Sequence, residues 1–240
     1  MLKRLKRFLL RLLLKLSLFA LIAAAIGFYL SPYKYQTPLY RWYYSNSDYN
    51  DLLVQIKDKQ DSLKIEYQAA KTDSDKEKVL KKAQHTFENS FEEVCKYWYG
   101  TPWSYSGTSE IPGRGKIACG YFVTTILRDL GYPIERIKMA QAASETLIRN
   151  TVDKKFIKVR IKKDFGDFMD EVEEMDDGVY ILGLDTHTGF LFVDGNSTRF
   201  VHSSNGVLKG VRNQVAFSSN TIRKSKYRVV GKIQVEKWLL

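Results

Sequence analysis

Residues 178–204, GVYILGLDTHTGFLFVDGNSTRFVHSS, carry the fold in their pattern. They read as three β-strands in succession, and the D-G-N-S segment at 194–197 is a strong signal for a hairpin joining the last two. That hairpin decides where two histidines go. If Asp194-Gly195 form the turn, His187 lies opposite His202. If Gly195-Asn196 or all four residues form it, His187 lies opposite Ser204 and His202 opposite Gly189. Strand side chains alternate with period two, so in either register both imidazoles point to one face; a three-residue loop would separate them.

Flanking segments extend the pattern in both directions. Ile157, Val159 and Ile161 alternate with Lys158, Arg160 and Lys162, and Ile233 and Val235 alternate with Lys232, Gln234 and Glu236, as strands do. Between them, DFGDFMDEVEEMDD at 164–177 sets Phe165, Phe168, Met169, Val172 and Met175 on one helical face and acids on the other. Upstream, Leu52, Leu53, Ile56 and Leu63 mark a helix starting near Ser47 or Asp48. Val79, Leu80, Ala83, Phe87, Phe91 and Val94 mark a second, capped within T-D-S-D at 72–75. Helices followed by hairpin-linked strands predict an α+β domain with an antiparallel sheet of about five strands.

Residues 97–116, YWYGTPWSYSGTSEIPGRGK, have a loop composition with four glycines and two prolines. They lead into IACGYFVTTILRDLGYP at 117–133, where Phe122, Val123, Ile126, Leu127 and Leu130 share one helix face and Gly131 with Pro133 stops the helix. Cys119 therefore falls at the first turn, where the positive helix end favours the thiolate, the nucleophilic form. Without a base nearby, a small buried cysteine is the plainer reading. His187 and His202 supply a candidate base, because two imidazoles on one face suit a thiol whose base is oriented by a second polar group. Two histidines are too few for a metal site. His85 has no cysteine or carboxylate cluster at metal spacing and reads as a surface or packing residue. Cys95, next to Tyr97 and Trp98, reads as buried; pairing with Cys119 would block the nucleophile.

The first 30 residues are a different kind of sequence. Lys3, Arg4, Lys6, Arg7, Arg11 and Lys15 occur there with no acid, supplying six of the chain's eleven net positive charges. Phe8 to Leu30 is a 23-residue stretch with no charge but Arg11 and Lys15, long enough to span a bilayer if those two snorkel. A cleaved signal peptide shares the basic start, and Ala23-Ala24-Ala25 resembles its cleavage site. The apolar run continues past Ala25, however, and Tyr29, Tyr33, Tyr35, Trp42, Tyr43 and Tyr44 suit a membrane interface. The expectation is an uncleaved single-pass anchor, N-terminus cytoplasmic and the remainder outside, in periplasm or cell wall, with a cleaved secreted form as the competing reading. A helix lying on the surface would need a polar face beyond residue 15, and no cysteine stands near the end of the run to take a lipid.

Composition narrows the classes. A chain of 240 residues with 44% hydrophobic residues holds a real core, which excludes a disordered tail. Two cysteines and three histidines exclude a disulfide-rich scaffold and a thiolate zinc cage. Past residue 30 no dense basic stripe is interleaved with aromatics, which speaks against nucleic acid. Three segments follow: 1–30, a basic N-terminus and transmembrane signal anchor; 31–95, an aromatic juxtamembrane segment and helical spacer; and 96–240, the domain carrying Cys119 and the histidines.

In order along the chain, GTPWSYSG, IACGYFVTTILRDLGY, DDGVYILG, HTGFLFVDG and FVHSS resemble the motifs of the NlpC-type cysteine peptidases of bacterial cell walls. That family runs G-T-P-Y-x-W-G-G, D-C-S-G-F-V, P-G-D-L, H-V-G-I-Y-L-G and F-I-H-A-S, so the resemblance covers roughly residues 95–235. It implies a papain-like fold and a cysteine endopeptidase hydrolysing amide bonds of the peptidoglycan stem peptide without a cofactor. Carried over, Cys119 is the nucleophile, His187 the base and His202 the member that orients it; Trp103 and Tyr105 would wall the substrate cleft. Ala118 replaces the family's Asp, Gly120 its Ser and Trp103 its Tyr, and Asp177-Gly178 only loosely echoes P-G-D. The alternatives are a related acyl transferase or amidase on another envelope amide, and a catalytically silent, membrane-tethered binding or scaffold protein.

Overall fold

The computed structural model describes the chain apart from residues 1, 31–36, 38, 41–42, 45–48, 196 and 207–208, and apart from the side chains of 2–11 and 29–30. Helix α1 spans Leu2–Leu30, α2 Tyr49–Ala69 and α3 Asp73–Trp98. Three helices follow, α4 Cys119–Asp129, α5 Arg136–Ala140 and α6 Ser144–Thr151, then strand β1 Ile157–Ile161 and helix α7 Phe165–Glu173. The C-terminal part holds β2 Gly178–Leu184, β3 Thr188–Val193, β4 Thr198–Ser204, β5 Gly210–Val215, α8 Asn220–Lys224, β6 Tyr227–Lys232 and α9 Val235–Trp238.

The six strands form one antiparallel sheet in the order β1-β6-β2-β3-β4-β5. The α+β reading holds, with one strand more than the expected five. The additional strands are β5 and β6. The alternation at 233–236 is not a strand: Ile233 donates one last ladder bond to the Val179 carbonyl at 3.0 Å, and Val235 opens α9. Val193 pairs with Thr198, so all four D-G-N-S residues form the β3–β4 loop. This register sets His202 across from Gly189.

Helices cover both faces of the sheet. On one, Phe122, Val123, Ile126 and Leu127 of α4 pack with Val179, Ile181, Phe190, Phe192 and Val201. On the other, Phe165, Phe168, Met169 and Val172 of α7 pack with Leu182, Leu191, Phe200 and Val230. Every residue of β2 and β3 is buried accordingly.

The helices expected as a spacer are part of this core. Thr72 caps α3 by accepting the Asp75 N–H at 3.1 Å, and Asp73 and Asp75 complement the helix dipole. Beyond that cap, α3 buries Ala83, Phe87, Phe91, Val94, Cys95 and Trp98 in the same cluster as α4. Phe91 meets Phe190 edge-on at 5.0 Å and Phe87 meets Trp238 at 5.3 Å. α2 buries Ile56 and Leu63, and its Gln60 side chain donates to the Trp238 carbonyl at 2.6 Å. The core therefore runs through the expected boundary at residue 95. Periodicity identified the apolar faces and could not say what lay against them.

Among the described residues no helix is long and apolar enough to cross a membrane. The side chains described in α1, Leu12 to Phe28, are all exposed. The rest of the expected span, and the interface residues Tyr29, Tyr33, Tyr35 and Trp42, lie outside the described side chains, as does the expected Ser47 or Asp48 cap.

Candidate active site

Cys119 is the first residue of α4. Its N-cap, Ala118, offers no side-chain acceptor, and no acid stands in the first turn, so the positive helix end meets no competing charge of its own. The approach to Cys119 is pinned by backbone. Ile117 donates to the Pro102 carbonyl and Ala118 to that of Gly107, each at 2.9 Å, and the buried Ser203 hydroxyl donates to the Ile117 carbonyl at 2.7 Å. Backbone N–H groups of Thr188, Gly120 and Cys119 bear on the sulfur and favour the thiolate, yet burial outweighs them and pushes the thiol up from its ordinary value. The low thiol pKa expected from the helix terminus is thus corrected: desolvation outweighs the N–H groups that favour the thiolate.

The turn after β2 ends in His187, one residue before β3, and β4 carries His202. The rings are perpendicular, and His187 Nε2 lies 2.7 Å from His202 Nδ1, a hydrogen bond in which one nitrogen donates and the other accepts. His202 is 1% exposed and stacks on Phe200 at 4.0 Å. Burial lowers both imidazoles, His187 to about 4 and His202 well below its ordinary value, the latter helped by His187 and by the Arg212 cation across the β4–β5 pair. No carboxylate offsets this, so both rings are neutral at pH 7. With Nε2 of His187 occupied, Nδ1 is its remaining nitrogen.

The neutral pair has a consequence for stability. The unfolded chain takes up a proton at His187 below about pH 6.5, and the folded chain only near 4, so stability falls as pH drops through that window. The expected loss is up to about 3 kcal/mol, reduced by the partial exposure of the ring. Urea midpoints at pH 7 and pH 4.5 test this: His187→Gln should lose less on acidification than wild type, and an equal loss would refute the assignment.

Cys119 and the two histidines approach the sheet from opposite faces. Phe190 and Phe192 of β3 face α4, whereas Phe200 and its neighbour His202 face α7. His187 is on the Phe200 side too, with ring centroids 6.1 Å apart. The sulfur reaches the strand through the Thr188 N–H, next in sequence to His187. Among the described residues no hydrogen bond joins the sulfur to either imidazole. His187 opens into a groove of about 300 Å³ lined by residues including Asp185, Asn220 and Lys224.

Trp103 is half-buried and Tyr105 is 89% exposed. Among the described residues neither has a hydrogen bond or ring contact to Cys119 or the histidines. Two glycines are positioned where sequence reasoning saw only departures or spacers. A Cβ on Gly120 would stand 2.4 Å from the Ala140 carbonyl oxygen, so α5 crosses too close for the family's Ser. One on Gly189 would stand 2.7 Å from His202 Cβ and Phe200 Cε2, which is why the residue opposite His202 is glycine. His85 is exposed and bonded to Asn89 at 3.1 Å, and Cys95 and Cys119 are both free thiols. Among the described residues no group of three His, Cys, Asp or Glu could hold a metal ion. Comparison with protein-family models, with curated proteins and with solved structures finds no match.

Proposed function

We propose that the chain is a membrane-anchored cysteine peptidase of papain-like type that hydrolyses amide bonds in peptidoglycan stem peptides. The observation that carries this reading is the part-buried 2.7 Å His187–His202 bond beside a strand whose Thr188 N–H faces the Cys119 sulfur. The ordered NlpC-like motifs support the substrate, and the acid-free apolar run of α1 supports the anchor.

In the productive tautomer His187 donates Nε2–H to His202 and holds a lone pair on Nδ1. Because the resting pair is neutral thiol and neutral imidazole, proton transfer accompanies attack. His187 Nδ1 takes the thiol proton as sulfur bonds to the amide carbonyl carbon. The tetrahedral oxyanion is held by N–H groups at the start of α4. The C–N bond then breaks, the imidazolium returns its proton to the leaving amine, and water, deprotonated by His187, hydrolyses the thioester.

Purified peptidoglycan incubated with wild-type and Cys119→Ala protein, with fragments read by mass spectrometry, tests the proposal. Wild type should release peptide fragments, and the variant should fall to background, a loss of at least about 10³-fold. Identical products from both would end the reading. The silent-scaffold alternative draws support from the lack of a sulfur–imidazole bond, and it predicts no fragments from either protein. An added amine acceptor separates a transferase, which would give aminolysed rather than hydrolysed ends.

A further inference from the structure

Residues 154–163, KKFIKVRIKK, hold six basic residues in ten and no acid. Two of the six, Arg160 and Lys163, share one ion-pair partner, Glu171 of α7. Lys154, Lys155, Lys158 and Lys162 are exposed and form no ion pair among the described residues, and the same is true of Lys224 and Lys226. This sets them apart, because most exposed lysines on α2, α3 and α5 do have acidic partners, such as Lys57 with Asp61, Lys82 with Glu66 and Lys138 with Glu135.

Topology joins the six into one track. β1 is an edge strand, so Lys158 stands on an open side of the sheet. At its end Lys162 adopts a left-handed φ of 53°, the one non-glycine residue with positive φ among those described. That conformation lets its N–H reach the Lys226 carbonyl at 2.7 Å. The Lys226 and Tyr227 N–H groups in turn donate to Asp185, and Lys224 lines the groove that holds His187. Ile161 pairs with Tyr227, Leu184 with Arg228 and Gly183 with Thr188. The end of β1, the start of β6, the end of β2 and the start of β3 are therefore neighbours in a row. Three strand spacings, about 14 Å, separate the Lys162 end from His187.

We propose that Lys154, Lys155, Lys158, Lys162, Lys224 and Lys226 form a binding track for a linear polyanion, running along the free edge of β1 and across the strand ends to the His187 groove. Edge lysines also keep an open strand from pairing with other chains, which accounts for Lys158 and not for the three at the strand ends. Single-stranded nucleic acid fits poorly, because the track has a single exposed aromatic, Phe156, already covered by the Lys155 ammonium at 4.8 Å, and a straight duplex cannot follow the turn from the β1 edge onto the strand ends. A flat anionic bilayer fits poorly as well. The faces of the sheet are covered by helices, so a plane would touch the edge arm or the end arm and not both. A flexible polymer carrying phosphodiester or carboxylate groups can follow the bend, releasing counterions as it binds. This inference stands independently of the peptidase reading.

Full-length Cys119→Ala protein in neutral detergent serves for binding, so that loss of chemistry and loss of binding are separate results. Its affinity is measured for long-chain polyphosphate, polygalacturonate and a DNA duplex of matched charge, with micelles containing phosphatidylglycerol as competitor. Polyphosphate or polygalacturonate should bind with strong salt dependence, the preferred one identifying phosphate or carboxylate as the recognised group. Reversal of Lys158, Lys162, Lys224 and Lys226 to Glu should weaken binding at least tenfold and flatten the salt dependence. Reversal of Lys59, Lys71, Lys76 and Lys116, away from the track, should not. Equal weakening by both sets, no weakening by the first, or preference for DNA or lipid over both polymers would overturn the proposal.

Discussion

His202→Ala should lower kcat/KM for peptide hydrolysis by about 10²–10⁴ with little change in KM. The reason lies in which nitrogen of His187 is available. In the proposed productive tautomer His202 Nδ1 accepts from His187 Nε2, 2.7 Å away, and that bond leaves the His187 lone pair on Nδ1. Without it the ring is free to rotate and to carry its proton on either nitrogen. The imidazolium formed during attack also loses its stabilising acceptor in a site where burial already holds His187 near 4. His202→Gln retains a polar atom of similar reach and should recover part of the rate. A structural role alone would lower the melting temperature of both variants without separating their rates. Full activity in a folded His202→Ala protein would remove His202 from the mechanism.

Arg228→Met should destabilise the fold by about 3–5 kcal/mol, read as a lower urea midpoint at unchanged m-value. Arg228 is 1% exposed, and its guanidinium donates to the carbonyls of Ile222 at 3.1 and 3.2 Å, Lys163 at 2.8 Å and Arg223 at 3.4 Å. It also lies over the Phe168 ring at 4.9 Å. Methionine fills much of the volume and leaves those carbonyls without donors in a dry site, which is the costly half of losing a hydrogen bond. The carbonyls belong to the end of α8 and to the turn after β1. Both elements border the His187 groove or the basic track, so local loosening there should precede global unfolding in hydrogen exchange. A loss below about 1 kcal/mol would show that water replaces the guanidinium.

Much of the central architecture was legible because it depends on local chemistry. The D-G-N-S turn and period-two alternation were sufficient to put two histidines on one face, and the observed register is one of the two the turn allowed. The Thr72 cap and the Gly131 stop were equally readable. β5 was not, since G-V-R-N-Q-V is an edge strand with two apolar residues and its ladder partner is chosen by tertiary pairing. The role of α2 and α3 was hidden for a related reason: an apolar stripe announces burial without naming the surface that buries it. At the site, sequence located Cys119 at a helix start and missed that the helix packs on the far side of the sheet from the imidazoles. The two glycines could have been suspected. Gly120 and Gly189 each stand beside a chemically important residue, where close backbone approach is a usual reason for glycine.

Burial of Cys119 reaches beyond its proposed role as nucleophile. A sulfur kept protonated by its surroundings is a poor target for peroxide as well as for alkylating agents, because oxidation to the sulfenic acid proceeds through the thiolate. The same dry packing that holds Cys95 inert extends in weaker form to the start of α4. A thiol stationed in an oxidising compartment would thereby remain reduced between turnovers and become nucleophilic only while an acyl group sits against it.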